Sequence, residues 1–189
     1  MIVGCTDPNP VVAGRGIRLL REKGLKVVAG VLRGECERQN EVFFHFMRTK
    51  LPFTVLKYAM TLDGKTATVS GKSQWITGEA ARNRVHEDRG RYMAILTGVS
   101  TVLADDPQLT CRIPGGKNPI RVIADTKLRT PLSSTVVQTA QETPTWIVTA
   151  VSDAGRKKAY EDAGCRVLSV PAKEGELDLQ AMMQRLGEE

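Results

Sequence analysis

An α/β chain with a largely parallel sheet is what this sequence predicts, on three observations. Buried-type apolar runs recur (YMAILTGV, PIRVIAD, TWIVTA, CRVLSV), polar segments of helical period separate several of them, and glycine or proline marks many of the junctions.

Taken in order, the opening IVGC is a short strand-like run stopped by TDPNP, whose prolines and asparagine enforce a turn. Gly14 to Lys23 places Ile17 and Leu20 on one helical face and ends at Gly24, a suitable C-terminal cap. LKVVAGVL reads as a second strand, and Glu35 to Arg48 as a helix with Val42, Phe43, Phe46 and Met47 at three-to-four spacing. After Lys50-Leu51-Pro52 the pattern restarts, with FTVLKYAM expected as a strand and GEAARNRVHEDR as a polar helix. YMAILTGV follows as a buried strand, and STVLADDP as a short turn or helix ended by Pro107. TCRIPGGKNP is a loop, PIRVIAD, TWIVTA and CRVLSV are strands, SDAGRKKAYEDAG is helical, and LDLQAMMQRLGEE begins a last helix.

The 189 residues, 41% of them hydrophobic, suffice for one or two domains. No apolar run approaches a membrane span and MIVGCTDPNP has no signal-peptide pattern, so a cytoplasmic protein with no membrane partner is expected. Cys5, Cys36, Cys111 and Cys165 stand far apart, without CxxC or a histidine at ligand spacing, which argues for reduced thiols. The net charge of +6 suits phosphorylated ligands, but its bases are interleaved with acids and only 5% of residues are aromatic, so nucleic acid is not an expected partner. AGRG lacks the third glycine of a dinucleotide fingerprint, and His86-Glu87 lacks a second histidine four residues on.

Function concentrates in KYAMTLDGKTATVSGKSQWIT, residues 57–77. Strand alternation would put Val55, Lys57 and Ala59 on one face, TLDG supplies a turn, and Asp63 is a candidate partner that would keep Lys57 protonated. Trp75 reads either as a core residue or as a flat surface for a ligand.

KYAMTLDGKTA, SGKSQWIT and RGRYMAILTGVSTVLADDPQLTCR, in this order, resemble the reductase domain of the bifunctional riboflavin-biosynthesis deaminase/reductase family. DPNPVVAGRGIRLLREKGLKVVAGVLRGECERQNEVFFHFMR resembles the end of that family's deaminase domain. The resemblance implies an incomplete dihydrofolate-reductase-like reductase domain over residues 51–189. Before it, residues 1–50 would form the C-terminal piece of a cytidine-deaminase-like domain without zinc ligands. It implies NADPH-dependent reduction of the ribosyl group of 5-amino-6-(5-phosphoribosylamino)uracil. The alternative is an inert fragment that retains at most nucleotide or partner binding.

Carried over position by position, Lys57 is the catalytic candidate. Ser73, Arg89, Leu109 and Arg112 are the substrate-binding candidates, and Ala59, Trp75, Thr101, Asp105 and Thr126 the cofactor-binding ones. The zinc-ligand motifs of the deaminase are not in these residues, so no metal site and no deaminase activity are expected, and zinc is expected only in an N-terminal deaminase portion outside the chain. The family's reductase runs on past the last helix, so an unpaired sheet edge and homo-oligomer formation are further expectations.

Overall fold

The computed structural model describes residues 1–189, which form two compact units: Met1–Val55 with Met183–Glu189, and Leu56–Met182. The first begins with β1 (Ile2–Val3), which pairs in parallel with β2 (Val28–Ala29) across the helix α1 (Arg15–Glu22). The strand expected over LKVVAGVL is thus only two residues long. Two helices follow, α2 (Arg33–Gln39) and α3 (Glu41–Thr49), where the sequence suggests one. Asn40 has φ −114° and ψ 26°, off the helical region, and its side chain donates to the Cys36 carbonyl, so the local bond competes with continuation of the helix. Val27 and Phe44 are the buried apolar residues of this unit, a thin core.

The second unit is built on four parallel strands in the order β3 (Ala94–Gly98), β4 (Ile120–Ala124), β5 (Thr145–Thr149) and β6 (Arg166–Ser169). The sequence places all four strands; β4 and β5 are covered on both faces, as continuous apolar runs imply, whereas the edge strand β3 alternates exposed and half-buried residues. Around them stand α4 (Glu79–Arg91), α5 (Val99–Asp105), α6 (Thr135–Gln138) and α7 (Ala154–Asp162). A small hairpin, β7 (Ala172–Lys173) with β8 (Glu176–Leu177), turns through Glu174 and Gly175, both at positive φ. The last helix, α8 (Leu179–Glu188), contributes to both units. Val99, Val102, Leu109, Ile123, Leu128, Val136, Val137, Ile147, Tyr160 and Cys165 form one apolar cluster.

A charge lies inside this unit. Arg121 on β4 is fully buried, and its guanidinium donates to the carbonyls of Gln108, Val136, Thr139 and Thr143 and to the hydroxyls of Thr139 and Thr145, at 2.8–3.2 Å. Oxygen dipoles rather than a carboxylate solvate it, and burial pushes its pKa down from the ordinary arginine value.

FTVLKYAM departs from expectation. Residues 53–60 join no sheet, and Val55, Leu56, Tyr58 and Met60 are exposed. Alternating apolar residues make a strand only where a neighbouring strand accepts their backbone hydrogen bonds, and none does so here.

Candidate functional site

The stretch that follows residue 60 is held by turns of its own. TLDGK and TVSGK, seven residues apart, fold alike. Gly64 N–H donates to the Thr61 carbonyl and Gly71 N–H to that of Thr68, both at 2.9 Å, with each glycine at φ +80°. Each threonine hydroxyl then accepts the N–H of the lysine four residues on, at 3.0 Å. This is a turn closed by a left-handed glycine, made twice.

The expected Lys57–Asp63 pair does not form. The Asp63 carboxylate is taken by Lys65 Nζ at 3.0 Å and by the Thr61 hydroxyl, which hold its pKa below the usual carboxylate range. A residue two positions away inside the same turn wins over one across an unpaired segment. Lys57 and Ser73 are exposed and Ala59 is half-buried. Trp75 is not a core residue: its ring is 71% exposed, with the Arg82 guanidinium stacked 4.5 Å from its centroid.

Ligands of parallel sheets bind outside the carboxyl ends of the strands. At that edge, Gly98 ends β3 with no heavy atom within 4 Å of where a Cβ would stand. Thr101 and Asp105 are exposed on α5. The two aspartates of LADDP divide their work. Asp106 accepts from the N–H and hydroxyl of Thr135 at 2.8 and 2.7 Å, which lowers its pKa, while Asp105 remains open to solvent. Thr126, just beyond β4, donates its hydroxyl to Glu176 at 3.0 Å and accepts the Leu177 N–H at 3.3 Å, so the β7–β8 hairpin occupies it. The open space beside Gly98 and the exposed hydroxyl and carboxylate on α5 fit the ribose of a dinucleotide. The Thr126 hydroxyl would first have to leave Glu176.

The structure does bring Arg89 and Arg112 together. On α4, Arg82, Val85, His86 and Arg89 are half-buried, and the Thr110–Ile113 loop packs on His86, Arg89 and Gly90. Arg89 Nη1 donates to the Thr110 carbonyl at 3.0 Å, and Cys111 Sγ approaches the His86 carbonyl at 3.2 Å. Arg112 reaches the His86 ring twice, backbone N to Nδ1 and Nε to Nε2, each at 3.2 Å. Gly90 permits this approach, since Cys111 Sγ would lie 3.3 Å from a Cβ there. Burial and then the neighbouring Arg112 charge lower the Arg89 pKa, and its Nε is buried with no hydrogen-bond partner. The Arg112 charge is felt at Arg89, and no hydrogen bond engages the Arg112 Nη groups, a combination chemically suited to an anion. Leu109, expected at the rim of the substrate pocket, has φ +56° and lies in the apolar cluster, where it anchors the loop that carries Arg112.

Sequence reasoning weighed His86 only as a metal ligand. Its ring contacts come from a loop some 25 residues away, which no local pattern reveals. No group of three or more His, Cys, Asp or Glu side chains is placed to hold a metal ion. Concavities of 340 and 530 Å³ lie in the first unit, against His45 and Phe53, and contain no site candidate.

Residues 52–189 match the model of the RibD C-terminal domain. The chain is 49% identical over 188 residues to the riboflavin biosynthesis protein RibD of Actinobacillus pleuropneumoniae, covering 100% of this chain and 50% of that protein. It is 50% identical over 159 residues to RibD of Bacillus amyloliquefaciens, covering 84% and 43%. The chain thus spans about half the length of the curated relatives it matches. Among solved structures it is similar to a diaminohydroxyphosphoribosylaminopyrimidine deaminase/5-amino-6-(5-phosphoribosylamino)uracil reductase from Thermotoga maritima. There the TM-score is 0.78 at 36% identity, over 99% of this chain and 50% of that one. Likeness to the Saccharomyces riboflavin biosynthesis reductase Rib7, TM-score 0.58 at 22% identity over 82% of this chain and 67% of that one, speaks for the fold alone.

Proposed function

The chain belongs to the RibD C-terminal domain family, and we propose that it serves the NADPH-dependent reduction of the ribosyl group of 5-amino-6-(5-phosphoribosylamino)uracil to the ribityl form, in riboflavin biosynthesis. The observation that carries the reading is the convergence of Arg89 and Arg112 beside His86, a receptor for the phosphate of a phosphoribosyl substrate. Residues 51–189 are then the reductase domain. Residues 1–50 are the end of a deaminase domain whose zinc ligands lie outside this chain.

A ribosylamine opens to an imine whose C1′ accepts hydride, and bound NADPH supplies that hydride. The phosphate sits on Arg89 and Arg112, with Ser73 as a further hydrogen-bonding group and Leu109 holding the loop from below. Lys57 places an ammonium at the sugar and delivers the proton that the reduced nitrogen requires. Ala59 would leave room for the cofactor, Trp75 would offer it a flat face, Asp105 would accept from its ribose hydroxyls, and Thr101 and Thr126 would hydrogen-bond its polar groups.

The test follows NADPH absorbance on addition of the phosphoribosylaminouracil. Substrate-dependent loss of absorbance is expected. Its absence from folded protein would sink the reading in favour of an inert fragment. Lys57→Ala should lower turnover far more than it weakens NADPH binding, and equal effects on both would remove Lys57 from the role.

A further inference from the structure

Two ring nitrogens of one histidine face two donors of one arginine. Arg112 points its backbone N–H at Nδ1 and its Nε–H at Nε2 of His86, both at 3.2 Å. A neutral imidazole has one bare nitrogen and one N–H, so it accepts one of these bonds at a time; an imidazolium accepts neither. The surroundings favour the neutral ring. Its pKa is lowered by burial first, then by the charges of Arg89 and Arg112, and the Thr110 backbone opposes them weakly. The other group packed here from the loop is Cys111, whose thiol meets the His86 carbonyl. The ring therefore works as an acceptor in the midst of two cations.

That acceptor changes what Arg112 can do. Arg112 is exposed, on a loop, and makes no ion pair with a carboxylate. A long side chain in that setting samples many rotamers, and fixing it costs rotamer entropy. In the tautomer protonated at Nδ1, the bare Nε2 accepts from Arg112 Nε and fixes the start of the guanidinium while both Nη groups remain available to an anion. Arg89 is fixed separately, by Nη1 on the Thr110 carbonyl.

We infer that His86 is a positioning residue for the substrate: its neutral imidazole holds Arg112 in the orientation in which Arg112 and Arg89 together receive a phosphate ester. The inference rests on the phosphate-site reading given above and adds the residue that pre-organises it. His86 does not touch the substrate; it acts through Arg112.

Ribose 5-phosphate, titrated calorimetrically into the chain, is the probe, with wild type, Arg112→Ala, His86→Leu, His86→Gln and the double variant compared. His86→Leu should weaken binding on the order of tenfold with thermal stability within a few degrees of wild type, and the double variant should bind no worse than Arg112→Ala, the non-additivity of residues that act as a unit. His86→Gln keeps a side-chain acceptor and should recover most of the loss.

A second readout does not require the ligand. The chain has two histidines, so the His86 ring signals can be assigned by substitution, and Arg112→Ala should raise the pH at which they titrate, towards the ordinary value. If Arg112→Ala weakens ribose 5-phosphate binding but His86→Leu does not, or if the ring titration is unmoved by Arg112→Ala, the positioning role is overturned and the phosphate site stands. If Arg112→Ala does not weaken binding, the phosphate-site reading falls, and the inference with it.

Discussion

The sheet β3–β6 and the stretch from Leu56 to Gly78 belong to one compact unit, yet they are ordered by different forces. In the sheet, Val122, Ile123, Ile147 and Val148 are at most 1% exposed, and Ile123 and Ile147 pack in one cluster with residues of the helices. Between 56 and 78, Leu62 and Val69 are fully exposed, and order comes from hydrogen bonds that close within five residues. The sheet is stabilised by burial, whereas the turns are stabilised by glycine conformation and side-chain oxygens. Lys57, Ala59, Ser73 and Trp75 fall in the second class of structure, whereas Arg89, Thr101, Asp105, Leu109, Arg112 and Thr126 stand on the elements and loops around the sheet.

The sharpest way to break that contrast is Arg121→Met. It removes the donors on which four carbonyls and two hydroxyls depend, and should cost about 3 kcal/mol or more in urea unfolding, since each buried group left unsatisfied costs about 1–3 kcal/mol. A loss under about 1 kcal/mol would mean that water replaces the guanidinium. Next in size, Ile147→Ala should cost about 2–5 kcal/mol through transfer and cavity terms.

A smaller, pH-linked effect belongs to Cys165, whose thiol is pushed up to about 11 by burial. Because the folded state holds this proton more tightly than the unfolded chain, the associated stability is fully present below the unfolded value near 9.0 and is lost as pH rises through about 11. Unfolding midpoints measured across that window should fall, and Cys165→Ala should flatten the slope.

Leu62→Ser marks the other end of the scale: it should change stability by no more than about 0.5 kcal/mol. A loss comparable with that of Ile147→Ala would show that the turn region is buried in solution and would erase the contrast.

The same division explains what could be read beforehand. PIRVIAD and TWIVTA are recognisable because a strand covered on both faces needs an unbroken apolar run, YMAILTGV and CRVLSV share that composition at the sheet edges, and Gly24 and Pro107 punctuate correctly. FTVLKYAM has the composition of a strand, but pairing is a property of its neighbours, not of its own residues. Arg121 hides inside the strand PIRVIAD: nothing local says that an arginine among apolar residues will be ringed by carbonyls from Gln108 to Thr143. At the site, the motif order and the resemblance it carries indicate Arg89 and Arg112 before any fold is known. The ring that joins them, His86, and the division of labour between Asp105 and Asp106 depend on a loop folding back across α4 and on the start of α6. Composition carries no trace of either.

Arg121 also sets a schedule. Its partners at 136, 139, 143 and 145 all follow it in the chain, by 15 to 24 residues. During synthesis β4 therefore leaves the ribosome with a charged side chain of whose partners only the Gln108 carbonyl has been made, and it has to stay wet until Thr145 has emerged. The same ring of bonds closes only once α6 and β5 are docked beside β4, so Arg121→Met should speed unfolding more than it slows folding, with a φ-value near zero in stopped-flow kinetics.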